Sequence, residues 1–193
     1  MLPVFAVGAA VIVLTLGYLL TNRRVTRGLA VGDSILAHGG AVAVLHRGSG
    51  AVWDNVARVS AGSPAVLRQA QDAFSRMRYS HVVVLAGVND GDSPAERTMN
   101  NLSQIITLAK RQGARVIVVT ETPFREYVSW TQAAQNRQDA VRAWLLSGRS
   151  GASAVVDAFA LISRVGEDAL APDGLHLNQY GQELLGTAIL RAL

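Results

Sequence analysis

The chain of 193 residues contains no cysteine and only one lysine, Lys110. Without thiols there can be no disulfide scaffold, thiolate zinc site, iron–sulfur cluster or cysteine nucleophile. Aromatic residues make up 6% and charged residues 17%, whereas half of the chain is hydrophobic, which excludes a disordered polymer. The net charge of +4 is concentrated at one end: Arg23, Arg24 and Arg27 precede the first acidic residue, Asp33, and the remainder carries 15 basic against 14 acidic side chains. No basic stripe lies beyond Arg27, so a nucleic-acid partner is not expected. Internal repeats and low-complexity runs are also lacking. The length suits one domain with a short appendage.

The appendage is the one long uncharged run. Leu2 to Leu20 carries no charge, with Tyr18 near its end, and Arg23 and Arg24 follow. As a helix rising about 1.5 Å per residue it would extend about 28 Å, near the thickness of a bilayer's hydrocarbon core. Residues 1–22 therefore read as a hydrophobic anchor helix and 23–27 as a basic linker. The expected chain is membrane-anchored by a single pass. Alternatives are a cleaved signal peptide, or a helix buried against partners in a virion or other large assembly, with the remaining domain serving structure or receptor binding. The flanking arginines favour a cytoplasmic domain, whereas the chemistry inferred below usually acts outside the inner membrane.

From Gly28 onward, short apolar runs alternate with amphipathic stretches. Strands are expected at 28–31, 52–59, 81–86, 115–120 and 154–157, and helices near 35–46, 64–77, 94–112, 131–146 and 179–192. Ser63-Pro64 and Ser93-Pro94 place a hydroxyl before a proline at helix starts, Gly113 is a stop, and Asn178 can cap the last helix. This alternation predicts a five-stranded parallel sheet covered on both faces, with any site beyond the carboxyl ends of the strands.

Each strand exit carries polar chemistry. Gly32-Asp33-Ser34-Ile35 follows the first, Ser60-Ala61-Gly62-Ser63 the second and Gly87-Val88-Asn89-Asp90 the third, while Asp173-Gly174-Leu175-His176 precedes the last helix. A serine needs a base within hydrogen-bond reach, and that base needs an orienting carboxylate. The spacing of Asp173 and His176 lets both lie on one side of a turn. The Ser34 N–H, the Gly62 N–H and the Asn89 side chain would face a developing oxyanion. Taken singly, each block could be an ordinary turn or helix start. Their order and placement at one rim give them meaning together. Asp33 is read as bonding turn amides, and His38, His46 and His81 as surface or packing residues. Tyr127 and Trp130, in the segment after the fourth strand, are candidates for substrate contact or for surface packing.

These blocks resemble those of the SGNH hydrolase superfamily, the GDSL-type esterases and lipases, over Arg27 to Leu193. The resemblance implies a flavodoxin-like three-layer α/β/α sandwich over 28–193, with neither metal nor cofactor. It further implies Ser34 as nucleophile, His176 as base, Asp173 as its orienting acid, and an oxyanion hole of Ser34, Gly62 and Asn89. The second block departs from the family's Ser-Gly-x-Thr pattern, and a slip of one residue would make Ala61 the donor. G-x-S-x-G, the elbow of α/β-hydrolases, is absent. No insertion is long enough for a lipase lid. The expected activity is hydrolysis of a short acyl ester, foremost an O-acetyl group on a glycan. A lysophospholipid or other short-chain lipid ester, and acyl transfer, are the alternatives.

Overall fold

The computed structural model describes residues 26–193. The anchor expected at 1–22 lies outside the described residues, as does most of the 23–27 linker, whose last residue opens the first strand. Among the described residues no helix is long and apolar enough to cross a membrane.

Five strands, β1 (Arg27–Gly32), β2 (Val52–Asn55), β3 (His81–Leu85), β4 (Arg115–Val119) and β5 (Ala154–Val156), form one sheet in the order β2-β1-β3-β4-β5. All neighbours pair in parallel. Because successive side chains in a strand point to opposite faces, the three central strands each contribute to two cores. Leu29, Val31, Val82, Val84, Val116 and Val118 pack beneath α3 (Ser63–Arg76), α4 (Ala95–Arg111) and α5 (Gln132–Leu146). Ala30, Val83, Leu85, Ile117 and Val119 face α1 (Ser34–Ala37), α2 (Gly40–Gly48), α6 (Ala158–Val165) and α7 (Gln179–Ala192). This is the expected three-layer sandwich.

Several local expectations change. The helix expected over 35–46 is two helices, broken at Gly39, whose φ of +82° is left-handed. β2 stops at Asn55 rather than Val59, although the Val56 and Arg58 N–H groups still donate to the Ala30 and Gly32 carbonyls of β1 at 3.0 Å. The serine hydroxyls at 63 and 93 do not cap. Gly62 is the N-cap of α3, and the Ser63 N–H donates instead to Asp90 Oδ1 at 2.7 Å. Pro94 occupies the cap of α4, and the Ser93 hydroxyl accepts from Arg97. Asn178 does cap α7, accepting from the Gly181 N–H at 3.0 Å. α6 was not foreseen.

Register sets the stage for the site. Gly32 lies beside Leu85, and Leu85 beside Val119, so the exits of β1, β3 and β4 share one rim. The chain runs outward from β1 to β2 and then returns past β1 to β3, which makes the β1 exit a topological switch point.

Candidate active site

Ser34 opens α1 directly after β1. Asp33 is the N-cap, its Oδ1 accepting from the Ile35 N–H at 3.0 Å. Gln69 of α3 holds the strand end from the side: its Oε1 accepts from the Gly32 N–H at 3.0 Å and its amide donates to the Gly32 carbonyl at 3.1 Å. As the first helical residue, Ser34 has an N–H with no acceptor inside the helix.

The loop before α7 brings His176 to this serine across 142 residues of sequence: Nε2 lies 2.9 Å from Ser34 Oγ. On its other side His176 Nδ1 lies 2.5 Å from Asp173 Oδ2, while Asp173 Oδ1 accepts from the backbone N–H groups of Leu175 and His176. Partial burial of the Asp173 carboxyl opposes ionisation, but the hydrogen bonds from the His176 ring and from both amides outweigh it and hold the pKa down to about 2. With the imidazole neutral, an ionised Asp173 takes Nδ1–H and leaves Nε2 free to accept from the Ser34 hydroxyl.

The two remaining blocks meet each other at the exits of β2 and β3. Asn89 lies in a short 3-10 turn, Val88–Asp90, and its Nδ2 donates to the Ala61 carbonyl at 3.3 Å. Asp90 fastens the same loops together, since it accepts from Ser63 N–H and, at 2.5 Å, from the Thr98 hydroxyl. A Cβ on residue 62 would stand 2.8 Å from Asp90 Oδ1, so this close approach requires Gly62. The Ala61 N–H donates to the Arg58 carbonyl, whereas Gly62 sits at the head of α3. Tyr127 and Trp130 belong to a small apolar cluster. They pack partly buried against Phe124, Ala134 and Leu175, with Val88 alongside, between the neighbours of His176 and Asn89.

Three features escaped the reading of the sequence. His38 is no bystander but stacks on His176, ring centroids 5.0 Å apart. Its position four after Ser34, one helical turn on, was the available signal. Arg137 and Glu121 form a bidentate ion pair at 2.6 and 3.1 Å with both side chains 1% exposed. Asp33 is fully buried, and its Oδ2 finds no hydrogen-bond partner. Burial pushes its carboxyl up to about 7 against the pull of the Ile35 N–H, with the Glu121 and Asp90 charges adding to the rise. Among the described residues, no three imidazole or carboxylate groups gather as a metal site.

The arrangement can activate a hydroxyl for attack on an electrophilic carbon and offers donors at a neighbouring rim. Residues 30–184 match the family model of the GDSL-like lipases and acylhydrolases. Solved structures share the fold. A protein from Slackia heliotrinireducens assigned to the SGNH hydrolases superposes with a TM-score of 0.72 at 20% identity, covering 88% of this chain and 99% of that one. One from Desulfitobacterium hafniense assigned to the lipolytic G-D-S-L family gives 0.73 at 20% identity, with 87% and 99% covered. The lipase/acylhydrolase from Enterococcus faecalis gives 0.69 at 21% identity, with 86% and 94% covered. No curated protein sequence matches the chain as a relative.

Proposed function

The chain belongs to the family of GDSL-like lipases and acylhydrolases, and from that premise we propose that it hydrolyses carboxylic esters through an acyl-enzyme on Ser34. The observation that carries this reading is the continuous chain from Ser34 Oγ to His176 Nε2 at 2.9 Å and from His176 Nδ1 to Asp173 at 2.5 Å. Ser34 Oγ attacks the ester carbonyl carbon while its proton passes to Nε2. Asp173 stabilises the imidazolium and keeps the ring in register. The carbonyl oxygen, now an oxyanion, takes hydrogen bonds from the N–H groups of Ser34 and Gly62 and from the Asn89 amide. Collapse breaks the bond to the alcohol oxygen, which leaves with the proton from Nε2. Water then attacks the acyl-Ser34, gives a proton to His176, and the acid departs as Ser34 recovers its hydrogen.

A short acyl group, foremost O-acetyl on a glycan, suits the compact rim. Among the described residues the longest link between regular elements, 120–131, folds its aromatic side chains onto the body of the domain instead of forming a separate lid. The uncharged run at 2–20 would tether this domain to a membrane. The test is hydrolysis of p-nitrophenyl acetate, butyrate and octanoate by the full chain beside Ser34→Ala. Acetate is expected to be preferred, and its turnover to fall by roughly three decades or more in the variant. Preference for octanoate would move the substrate to lipid esters. Equal rates in both proteins would remove Ser34 as nucleophile.

A further inference from the structure

The Val88–Asp90 turn is gripped from below by residues that no step above uses. Glu121 stands two positions beyond β4, and Arg137 projects from the first half of α5. Their ion pair is among the most deeply buried charge pairs described, and the same guanidinium reaches further: Arg137 Nε donates to the Gly91 carbonyl at 3.0 Å. Gly91 is the residue that follows the turn. The residue that precedes it, Gly87, has a φ of +140°, and a Cβ there would overlap Glu121 Oε1 and come to 3.0 Å from the Arg137 guanidinium. One ion pair therefore abuts the chain on one side of Asn89 and bonds it on the other. Inside the turn, the Asp90 N–H closes onto the Gly87 carbonyl at 2.7 Å.

Net stability does not explain such a pair, because two desolvated charges usually recover little more than their solvation cost. What a bidentate guanidinium–carboxylate contact supplies is fixed geometry, with two parallel bonds defining a plane. We propose that Glu121 and Arg137 are positioning residues for the reaction, a clamp that holds the Val88–Asp90 turn so that the Asn89 amide is aimed at the oxyanion. This rests on the reading of Asn89 as an oxyanion donor. Ala61, which accepts from Asn89 Nδ2 at 3.3 Å, fixes the amide from the opposite loop. The clamp fixes its backbone. A donor aimed where charge appears only in the transition state affects kcat and leaves substrate binding largely alone.

The experiment is a double-mutant cycle on p-nitrophenyl acetate hydrolysis by the full chain: wild type, Arg137→Lys, Asn89→Ala and the two combined, each checked for fold by circular dichroism. An ammonium cannot span both Glu121 oxygens and the Gly91 carbonyl, so Arg137→Lys is expected to lower kcat about tenfold with KM nearly unchanged. Asn89→Ala should lower kcat by roughly two to three decades. The combined variant should match Asn89→Ala alone, because a clamp has nothing left to aim. Full additivity, an unchanged kcat in Arg137→Lys, or an effect confined to KM would overturn the clamp while leaving Asn89 as donor. A near-normal kcat in Asn89→Ala would overturn the donor reading and the clamp with it. Should Arg137→Lys fail to fold, Glu121→Gln takes its place in the cycle, keeping the planar shape without the charge and expected to show the same non-additivity.

Discussion

The imidazole of His38 stacks on that of His176, with ring centroids 5.0 Å apart and planes inclined by 30°. Both nitrogens of His176 are engaged in the plane of its ring, one facing Ser34 and the other Asp173. Those bonds restrain the ring within its plane but do little against tilting. His38 covers one face and limits that motion. It also borders a groove of about 290 Å³ between α2 and α7 that is lined by Arg47, Gln179 and Glu183.

Aromatic pairs contribute about 0.5–1.5 kcal/mol beyond area burial, equivalent to roughly two- to tenfold in rate if the stacking matters to the transition state. His38→Ala should lower kcat by that factor. His38→Phe retains a ring at the same place and should recover most of the loss. Steady-state kinetics of the two variants decide the matter, and equal kcat values for Ala and wild type would reduce the stack to a surface contact.

Asp173→Asn separates orientation from charge. The amide nearly preserves the shape of the carboxylate, yet can meet Nδ1 through its N–H and so favour the unproductive tautomer. A fall in kcat of about three to four decades is expected with KM little changed. The carboxyl sits at about 2, below its ordinary value of 3.8, so the folded protein holds an ion that the unfolded chain protonates first. Its stabilising effect is present above pH 3.8 and is lost as pH falls toward 2. Solvent screening keeps that contribution small, because the Asp173 side chain is 41% exposed. A kcat within tenfold of wild type would take Asp173 out of the orienting role.

The strands, the three strand-exit blocks and the block before the last helix were legible because all depend on local patterns. An apolar run such as His81–Leu85 can bury itself only between neighbours and helices, and a glycine beside a polar side chain marks a turn. The position of Ser34 follows from Gly32 and Asp33 alone. Less visible were features created by tertiary proximity. In sequence Glu121 is a carboxylate in Thr-Glu-Thr-Pro and Arg137 one charge on an amphipathic helix; their separation of 16 residues suits no helical or turn spacing. Asp90 looked like part of the third block, whereas the fold uses it to bind the second. α6 was hidden because Ala158–Val165 is apolar on most sides and directly follows a strand. The cap at Ser63 is displaced for a related reason: Asp90, 27 residues away, accepts from the Ser63 N–H at the head of α3; at Ser93 the hydroxyl instead accepts from Arg97.

Gly87→Ala tests how tightly the third exit is packed. The backbone there has φ +140°, a conformation that L-residues rarely adopt, and the new methyl would overlap the Glu121 carboxylate. Neither neighbour can yield easily, since Glu121 is fixed by both of its bonds to Arg137. Strain and overlap together should cost about 3 kcal/mol or more, lowering Tm by roughly 6 °C or more in a domain of this size. Thermal unfolding followed by circular dichroism measures it. An unchanged Tm would show that the 86–91 segment can shift as a unit.

Asp33 provides the pH test, and its sign is unusual for a carboxylate in a folded protein. Burial raises its pKa to about 7 from an ordinary 3.8, so between those values the folded state keeps a proton that the unfolded chain has released. Stability linked to this group is therefore complete below pH 3.8 and declines as pH rises through 7. A shift of this size corresponds to about 4 kcal/mol at most. Asp33→Asn keeps an oxygen for the Ile35 N–H and cannot ionise. Its Tm, measured against wild type at each pH, should gain several degrees between pH 4 and pH 8. Burial also pushes the Glu121 carboxyl up against the pull of Arg137. If instead both proteins show parallel curves across that range, the Asp33 carboxyl has the same proton affinity folded and unfolded, and its partnerless oxygen must be solvated in solution.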